Sequence, residues 1–161
     1  MARLRRTRSS LGSDRNYLAM AVRALARSDK TVAQIERLLQ AKGASERDCR
    51  AAVRELERRG YLNDHAFAVR WAESTLSRRP MGSQRLMAEL LRRGVDESTA
   101  DRAVREVFRG RSEQEVACCA LQGLIGVKRP IQLVRFLRQR GFDEDTIQDV
   151  TQINPDTESE A

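Results

Sequence analysis

The residues that could carry out acid–base, nucleophilic or metal chemistry are few in this chain. Its single histidine, His65, falls in the first turn of a predicted helix, where we expect it to be exposed and without a catalytic partner. The three cysteines, Cys49, Cys118 and Cys119, have neither the spacing of a metal site nor the even count of a disulfide framework. The glycine-rich motifs that bind nucleotide phosphates do not occur either. The sequence therefore predicts no catalytic residue, no metal and no cofactor, and a protein that is not an enzyme.

Arginine is the residue type that points to a function. The chain has 30 Lys and Arg against 23 Asp and Glu, for a net charge of +7. The positive charge is concentrated in residues 1–110, whereas residues 111–151 are neutral and residues 152–161 are acidic. Because guanidinium groups neutralise phosphates, this distribution fits a polyanionic partner such as DNA. It fits equally well a mildly basic helical protein whose charges lie on solvated faces.

Two groups of arginines are candidates for binding a partner or DNA. The middle group has few acids beside it, and Arg85 and Arg92 share a helix face because they are seven residues apart. The first group forms a stripe at helical spacing, but acids such as Glu55 lie beside it, so a solvated face is the alternative. The candidate binding residues are Arg50, Arg54, Arg58, Arg70, Arg78, Arg79, Arg85, Arg92 and Arg93.

The elements that position these arginines repeat along the chain. Three segments align on Gly43, Gly94 and Gly141, each of which follows a Lys or Arg and precedes an apolar residue. A glycine in the left-handed conformation would end one helix there. A Ser or Asp two residues later would cap the next helix, and these caps are Ser45, Asp96 and Asp143. Apolar residues eight and four positions before each glycine predict one buried helix face; these are Ile35 and Leu39, Leu86 and Leu90, and Leu133 and Leu137.

A further helix precedes each corner, over residues 16–28, 64–77 and 112–125, and Asp64 is expected to cap the second of them. Phe67 and Trp71 share a helix face and are expected in the core rather than as a platform for stacked bases. At least one of Cys118 and Cys119 is expected there too. No stretch alternates with the period of a strand. The sequence thus predicts an all-α fold of three tandem three-helix repeats.

The predicted organisation has five segments. They are a flexible basic tail (1–14), repeat 1 (15–60), repeat 2 (61–110), repeat 3 (111–151) and a flexible acidic tail (152–161). No apolar run approaches the length of a membrane span, and the N-terminus lacks the apolar segment of a secretory signal. A cytoplasmic protein is therefore expected.

Two motifs in the middle of the chain resemble a known family. Residues 60–68, Gly-Tyr-Leu-Asn-Asp-His-Ala-Phe-Ala, resemble the Gly-Tyr-Leu/Ile-Asp-Asp-x-x-Phe-Ala signature of the RecX family. Residues 82–95 resemble the family's Gly-x-x-Arg/Lys-Leu-x-x-Glu-Leu-x-x-Lys-Gly-Ile segment. The resemblance covers about residues 16–150. It departs from the pattern at Asn63, which replaces the first Asp of the Asp-Asp pair, and in the more divergent third repeat.

The resemblance implies a function that composition does not. RecX-like proteins are elongated, three-repeat helical molecules that bind the groove of the RecA–DNA filament. They inhibit its ATPase, strand exchange and co-protease activities, and so regulate recombination, DNA repair and the SOS response. The expected partners are the RecA filament and DNA of any sequence, with the protein acting as a monomer. The alternative is a helix–turn–helix transcriptional regulator that presents a recognition helix at one of the corners.

Overall fold

The computed structural model of the protein describes residues 10–152, and the side chains of residues 16–151. Within this range the chain forms nine helices and no strand, so the all-α prediction is confirmed. The helices are α1 (Ser10–Leu25), α2 (Val32–Gln40), α3 (Glu46–Arg58), α4 (Asp64–Arg78), α5 (Ser83–Arg92), α6 (Glu97–Gly110), α7 (Glu113–Leu121), α8 (Pro130–Gln139) and α9 (Glu144–Gln152).

The bounds of α1 and α7 differ from the predicted ones. Helix α1 ends at Leu25 rather than at residue 28, and it begins at Ser10, so the last part of the predicted basic tail is helical. Residues 1–9 of that tail, and residues 153–161 of the predicted acidic tail, lie outside the described residues. Helix α7 ends at Leu121 rather than near residue 125. Gly123 and Gly126, with φ of +76° and +79°, follow it, and a right-handed helix does not continue through that conformation.

The chain forms two compact units. The first consists of the described residues of Met1–Phe67 together with Arg93–Val95, and it contains α1, α2, α3 and the start of α4. The second consists of Ala68–Arg92 and the described residues of Asp96–Ala161. This division does not test the predicted repeat bounds after residues 60 and 110, which stay predictions, as does the elongated array.

Each unit has an aliphatic core formed by the predicted apolar faces. In the first unit Ile35 and Leu39 of α2 are fully buried against Ala21 of α1 and Leu56 of α3. In the second unit α5 packs on α6, and α7 and α8 both pack on α9. The predicted leucine pairs of α5 and α8 are buried there, which confirms them as core; they are Leu86, Leu90, Leu133 and Leu137. Phe67 is buried as predicted, whereas Trp71 is partly exposed.

The corners between helices rest on glycines in the left-handed conformation. Gly43, Gly94 and Gly141 have φ of +84°, +86° and +73°. In the corner after α2, the Ala44 N–H donates to the Leu39 carbonyl at 3.0 Å, so the chain turns back onto the last turn of the helix. The caps of the following helices accept from the backbone N–H three residues on; they are Ser45, Asp96 and Asp143.

The cap of α4 differs from the predicted one. The Asn63 side-chain oxygen accepts from the Ala66 N–H at 2.9 Å, so Asn63 caps the helix and Asp64 is its first residue. Asp64 instead accepts from the Val32 N–H at the start of α2, at 2.9 Å. Its carboxylate therefore caps a helix that is distant in sequence rather than its own.

The prediction that one of the adjacent cysteines lies in the core was wrong. Cys118 and Cys119 are both exposed, and only Cys49 among the cysteines is buried. Helix α7 buries Val116, Ala117 and Leu121 instead. Because α7 carries apolar residues on all sides, its sequence does not define which face is buried.

Candidate polyanion-binding site

The start of α5 lies directly on the corner between α8 and α9. The Gly82 N–H donates to the Arg140 carbonyl at 2.9 Å, and the Ser83 N–H donates to Glu113 Oε1 at 2.9 Å. A Cβ added at Gly82 would lie 2.0 Å from the Gly141 carbonyl oxygen, so only glycine fits this approach. The backbone contact thus fixes the start of α5 against the end of α8.

An equivalent contact occurs inside the first unit. There the Thr31 hydroxyl, which is fully buried, donates to the Arg93 carbonyl at 2.8 Å. Thr31 and Gly82 both stand twelve residues before a corner glycine, and Arg93 and Arg140 both stand one residue before the next one. The same register therefore joins a helix start to a corner in each unit.

In the second unit, residues on both sides of this contact line a cleft of about 300 Å³, which we call the arginine cleft. Its lining residues come from the α4–α5 connection, the first turn of α5 and the end of α8; they are Arg79, Pro80, Met81, Arg85, Phe136, Gln139 and Arg140. Its volume is at the lower end of the ~300–1,000 Å³ range of ligand pockets. Three of its seven lining residues are arginines, so the cleft is strongly basic.

Backbone carbonyls hold two of these guanidinium groups in place. Arg85 donates from Nη1 to the Gln139 carbonyl at 2.8 Å, and Arg140 donates from Nη1 to the Pro80 carbonyl at 2.9 Å. The Arg140 guanidinium carbon also lies 4.6 Å from the centre of the Phe136 ring, which is cation–π geometry. Arg140 is therefore fixed on two sides.

The charge in the arginine cleft is not compensated. Burial, together with the positive charges of Arg79 and Arg85, lowers the pKa of the Arg140 guanidinium from its ordinary value. The Arg140 guanidinium remains a cation at neutral pH. Its lowered pKa therefore means that burial and the neighbouring arginines disfavour its charged form. Within the described part of the chain, no carboxylate forms an ion pair with any of the three arginines. A bound anion would relieve this repulsion.

The other predicted arginines lie outside the cleft, and several contact acids or their own helix. On α3, Arg50 pairs with Glu46 at 2.7 Å. Arg58 donates two hydrogen bonds to Glu55, at 2.8 and 2.7 Å. Arg92 lies 3.6 Å from Glu89, and Arg78 donates to Ser74 of its own helix. Arg93 is half-buried and belongs to the first unit. Arg54 and Arg70 are exposed.

Of the predicted binding residues, the structure brings Arg79 and Arg85 together. Arg140 and Phe136 were not among the residues predicted from the sequence, because the third repeat is neutral as a whole. A signal was present: residues 116–142 contain five basic residues and no acid. The neutral total hides a basic stretch that ends at the corner before Gly141.

The described residues contain no group of histidines, cysteines and carboxylates that could hold a metal ion. His65 is half-buried rather than exposed as expected. No helix in residues 10–152 is both long enough and apolar enough to cross a membrane. The arginine cleft is therefore the candidate functional site of the described residues.

Comparison with known proteins shows the family. The family model described as "RecX, second three-helix domain" matches residues 63–104. The regulatory protein RecX of Treponema pallidum subsp. pallidum is 31% identical over 129 residues, which cover 80% of this chain and 71% of that protein. The regulatory protein RecX of Thermus thermophilus is 36% identical over 125 residues, covering 78% and 82%. The crystal structure of RecX from Lactobacillus salivarius has the same fold, with a TM-score of 0.80 at 16% identity, over 89% of this chain and 97% of that one. The chain therefore belongs to the RecX family of regulatory proteins.

Proposed function

We propose that this protein is a negative regulator of RecA that binds the groove of the RecA–DNA filament and inhibits its ATPase, strand exchange and co-protease activities. Membership of the RecX family supports the regulatory role, because the relatives from Treponema and Thermus are named regulatory proteins. The protein acts in the cytoplasm as a monomer, without catalysis, in the control of recombination, DNA repair and the SOS response. It contacts DNA without sequence specificity.

The observation that carries the DNA contact is the arginine cleft. Arg79, Arg85 and Arg140 have no carboxylate partner in the described residues, whereas Arg50 and Arg58 on α3 are paired with acids. An arginine that is already paired with a carboxylate contributes little binding free energy when it contacts a phosphate, because one ion pair replaces another. When an unpaired arginine neutralises a phosphate, counterions condensed on the DNA are released, which favours binding.

Measurement of the DNA-dependent ATPase of RecA tests the proposal most directly. Addition of this protein at a sub-stoichiometric ratio to RecA should reduce the ATPase rate, because one bound regulator affects many subunits of a filament. Heat-denatured protein serves as the control. The absence of inhibition at any ratio, together with tight binding to one duplex sequence, would contradict the proposal. It would favour the alternative, a helix–turn–helix transcriptional regulator.

A second measurement tests whether the middle arginines contact DNA. Replacing Arg85 and Arg92 together by alanine should weaken binding to single-stranded DNA. It should also reduce the slope of log K against log salt by about 0.7, the contribution of one lost phosphate contact at Arg85, because Arg92 already lies beside Glu89. The matched control is the double replacement of Arg50 and Arg58, whose side chains contact Glu46 and Glu55. An unchanged salt slope for the first pair would mean that these arginines form only a solvated face.

A further inference from the structure

We propose that the arginine cleft is a binding site for a single phosphate group, held by the guanidinium groups of Arg79, Arg85 and Arg140. In the cell this phosphate is a phosphodiester of the DNA backbone, a source that rests on the proposed function. The site is one defined cavity of the second unit and includes Arg140, which was not predicted from the sequence.

The hydrogen-bonding capacity of the cleft fits a phosphate. A guanidinium group has five N–H donors. The hydrogen bonds to the Gln139 and Pro80 carbonyls each use one terminal nitrogen, of Arg85 and Arg140 respectively, which leaves donors on both groups. The guanidinium of Arg79 makes no hydrogen bond to the described residues. Three residues that carry guanidinium forks therefore line one cavity of about 300 Å³, and such forks bind phosphate oxygens in pairs.

The rigidity of the cleft also favours this ligand. The Arg140 guanidinium lies between the Phe136 ring and the Pro80 carbonyl, and the Gly82–Arg140 backbone hydrogen bond fixes the distance between the two walls. Donors that are already ordered lose little conformational entropy when an anion binds. Arg85 and Arg140 are thus positioned before an anion binds, whereas the exposed Arg79 side chain becomes ordered on binding.

The lining favours a phosphate over a nucleobase. Phe136 is the only aromatic residue of the cleft, and Arg140 stacks on it. No second aromatic ring is present in the lining to sandwich a base. Recognition should therefore be independent of base identity, in agreement with DNA contact of no sequence preference.

Titration followed by NMR of the amide and arginine side-chain N–H groups tests the proposal. The probe is sodium phosphate at pH 7, with sodium chloride at matched ionic strength as the reference. We expect saturable shifts at the Gly82 and Arg140 amides and at the arginine Nε–H groups of the cleft. Arg79→Gln should weaken phosphate binding by about tenfold, the contribution of one charge-assisted hydrogen bond. It should leave the fold intact, because its guanidinium contacts no described residue by hydrogen bond.

Two further variants separate this role from a structural one. Arg140→Lys keeps the charge but removes the planar fork, so phosphate binding should fall while the melting temperature changes little. Arg135→Gln removes an exposed arginine of α8 that does not line the cleft, and this variant should bind phosphate as the unaltered protein does. Equal loss of binding in the Arg135 and Arg79 variants would overturn the proposal, as would shifts in phosphate no larger than those in chloride. Equal affinity for sodium acetate would overturn it in favour of a carboxylate site.

The source of the phosphate is distinguished with short oligothymidylates. The first oligonucleotide has a 5′-hydroxyl, and one of its internal linkages is replaced by a neutral methylphosphonate. A loss of affinity on this replacement identifies a backbone phosphodiester as the ligand. Binding that requires a 5′-phosphate identifies a phosphomonoester; this outcome keeps the phosphate site but overturns the backbone assignment. These titrations contain no RecA. Phosphate binding without inhibition of the RecA ATPase would therefore contradict the proposed function alone, and inhibition without phosphate binding would contradict the cleft alone.

Discussion

The two units join a helix start to a corner in the same register but with different groups. In the first unit the side-chain hydroxyl of Thr31 donates to the carbonyl of Arg93. In the second unit the backbone N–H of Gly82 donates to the carbonyl of Arg140, without any side chain between the two backbones. Replacing a side-chain donor with a backbone donor brings the chains closer, and glycine is the residue that permits it. One register thus produces two different local surfaces.

The arginines near the two contacts differ as well. In the first unit the position equivalent to Arg85 is Gln34, whose side chain reaches back to the Thr31 N–H in a capping box. In the second unit Arg85 occupies this position and reaches across to the Gln139 carbonyl. The first contact is consequently flanked by an uncharged capping glutamine, whereas the second is flanked by an arginine that lines the arginine cleft. The number of arginines in a segment is therefore less informative than what lies beside each of them.

The largest effect that separates the two contacts is expected from Gly82→Ala. Its Cβ would meet the backbone of Gly141 and Phe142, at 2.0 to 2.3 Å, and backbone cannot move aside as a flexible side chain does. We expect a loss of about 3 kcal/mol in the free energy of unfolding, at the upper end of overpacking costs. Urea denaturation measures it.

Gly110→Ala is the matched control for this experiment. Gly110 ends α6, has no positive φ, and would place its Cβ in open space, so the variant should be neutral or slightly more stable. Equal denaturation midpoints for the two variants would show that the close approach of Gly82 to the corner does not hold in solution.

A smaller effect should distinguish the corner glycines. Gly43 and Gly94 have nearly the same φ, +84° and +86°, but a Cβ on Gly43 would meet nothing within 4 Å. A Cβ on Gly94 would lie 2.6 Å from the Ala33 Cβ. Gly43→Ala should therefore lower the free energy of unfolding by about 1–2 kcal/mol, the cost of a left-handed conformation for alanine. Gly94→Ala should lower it by about 1 kcal/mol or more beyond that, because its Cβ also clashes. Thermal unfolding of the two variants gives the comparison, and equal melting temperatures would mean that the corner after α5 makes no tight contact with α2.

Local features of the fold could be predicted from the sequence because they depend on neighbouring residues. Corners of the type Gly-apolar-Ser/Asp and the leucine pairs before them follow from helix periodicity and capping alone. The cap of α4 was misassigned because Asn63 and Asp64 are both good caps, and only a distant contact, that of Asp64 with the Val32 N–H, decides between them.

The arginine cleft could not be predicted in the same way. Its residues come from two segments, 79–85 and 136–140, that are more than fifty positions apart. Sequence spacing placed Arg85 beside Arg92 on α5, whereas in the structure the Arg85 side chain reaches Gln139. Long side chains reach partners that periodicity does not indicate, so the direction of an arginine depends on tertiary contacts.

The smallest effect concerns the paired arginines of the first unit, which provide the contrast to the cleft. Hydrogen bonds from Arg58 and Arg59 lower the pKa of Glu55 to about 2. The ordinary value in the unfolded chain is near 4.3. A carboxyl group whose pKa is lower in the folded state stabilises that state above the unfolded pKa, and this stabilisation is lost as the pH falls from about 4.5 to 2. Glu55→Gln removes the titrating group. The stability of this variant should therefore fall less steeply than that of the unaltered protein as the pH is lowered from about 4.5 to 2.

Urea denaturation at a series of pH values from 5 to 2 measures this difference, which should be small because the ion pair is near the surface. Glu57→Gln is the matched control, since Glu57 is an exposed carboxyl of the same helix with no ion pair in the described residues. Parallel pH profiles for Glu55→Gln and the unaltered protein would show that Arg58 and Arg59 are not bound to Glu55 in solution. Those arginines would then be as available to a phosphate as the arginines of the cleft, and the contrast between the two units would be lost.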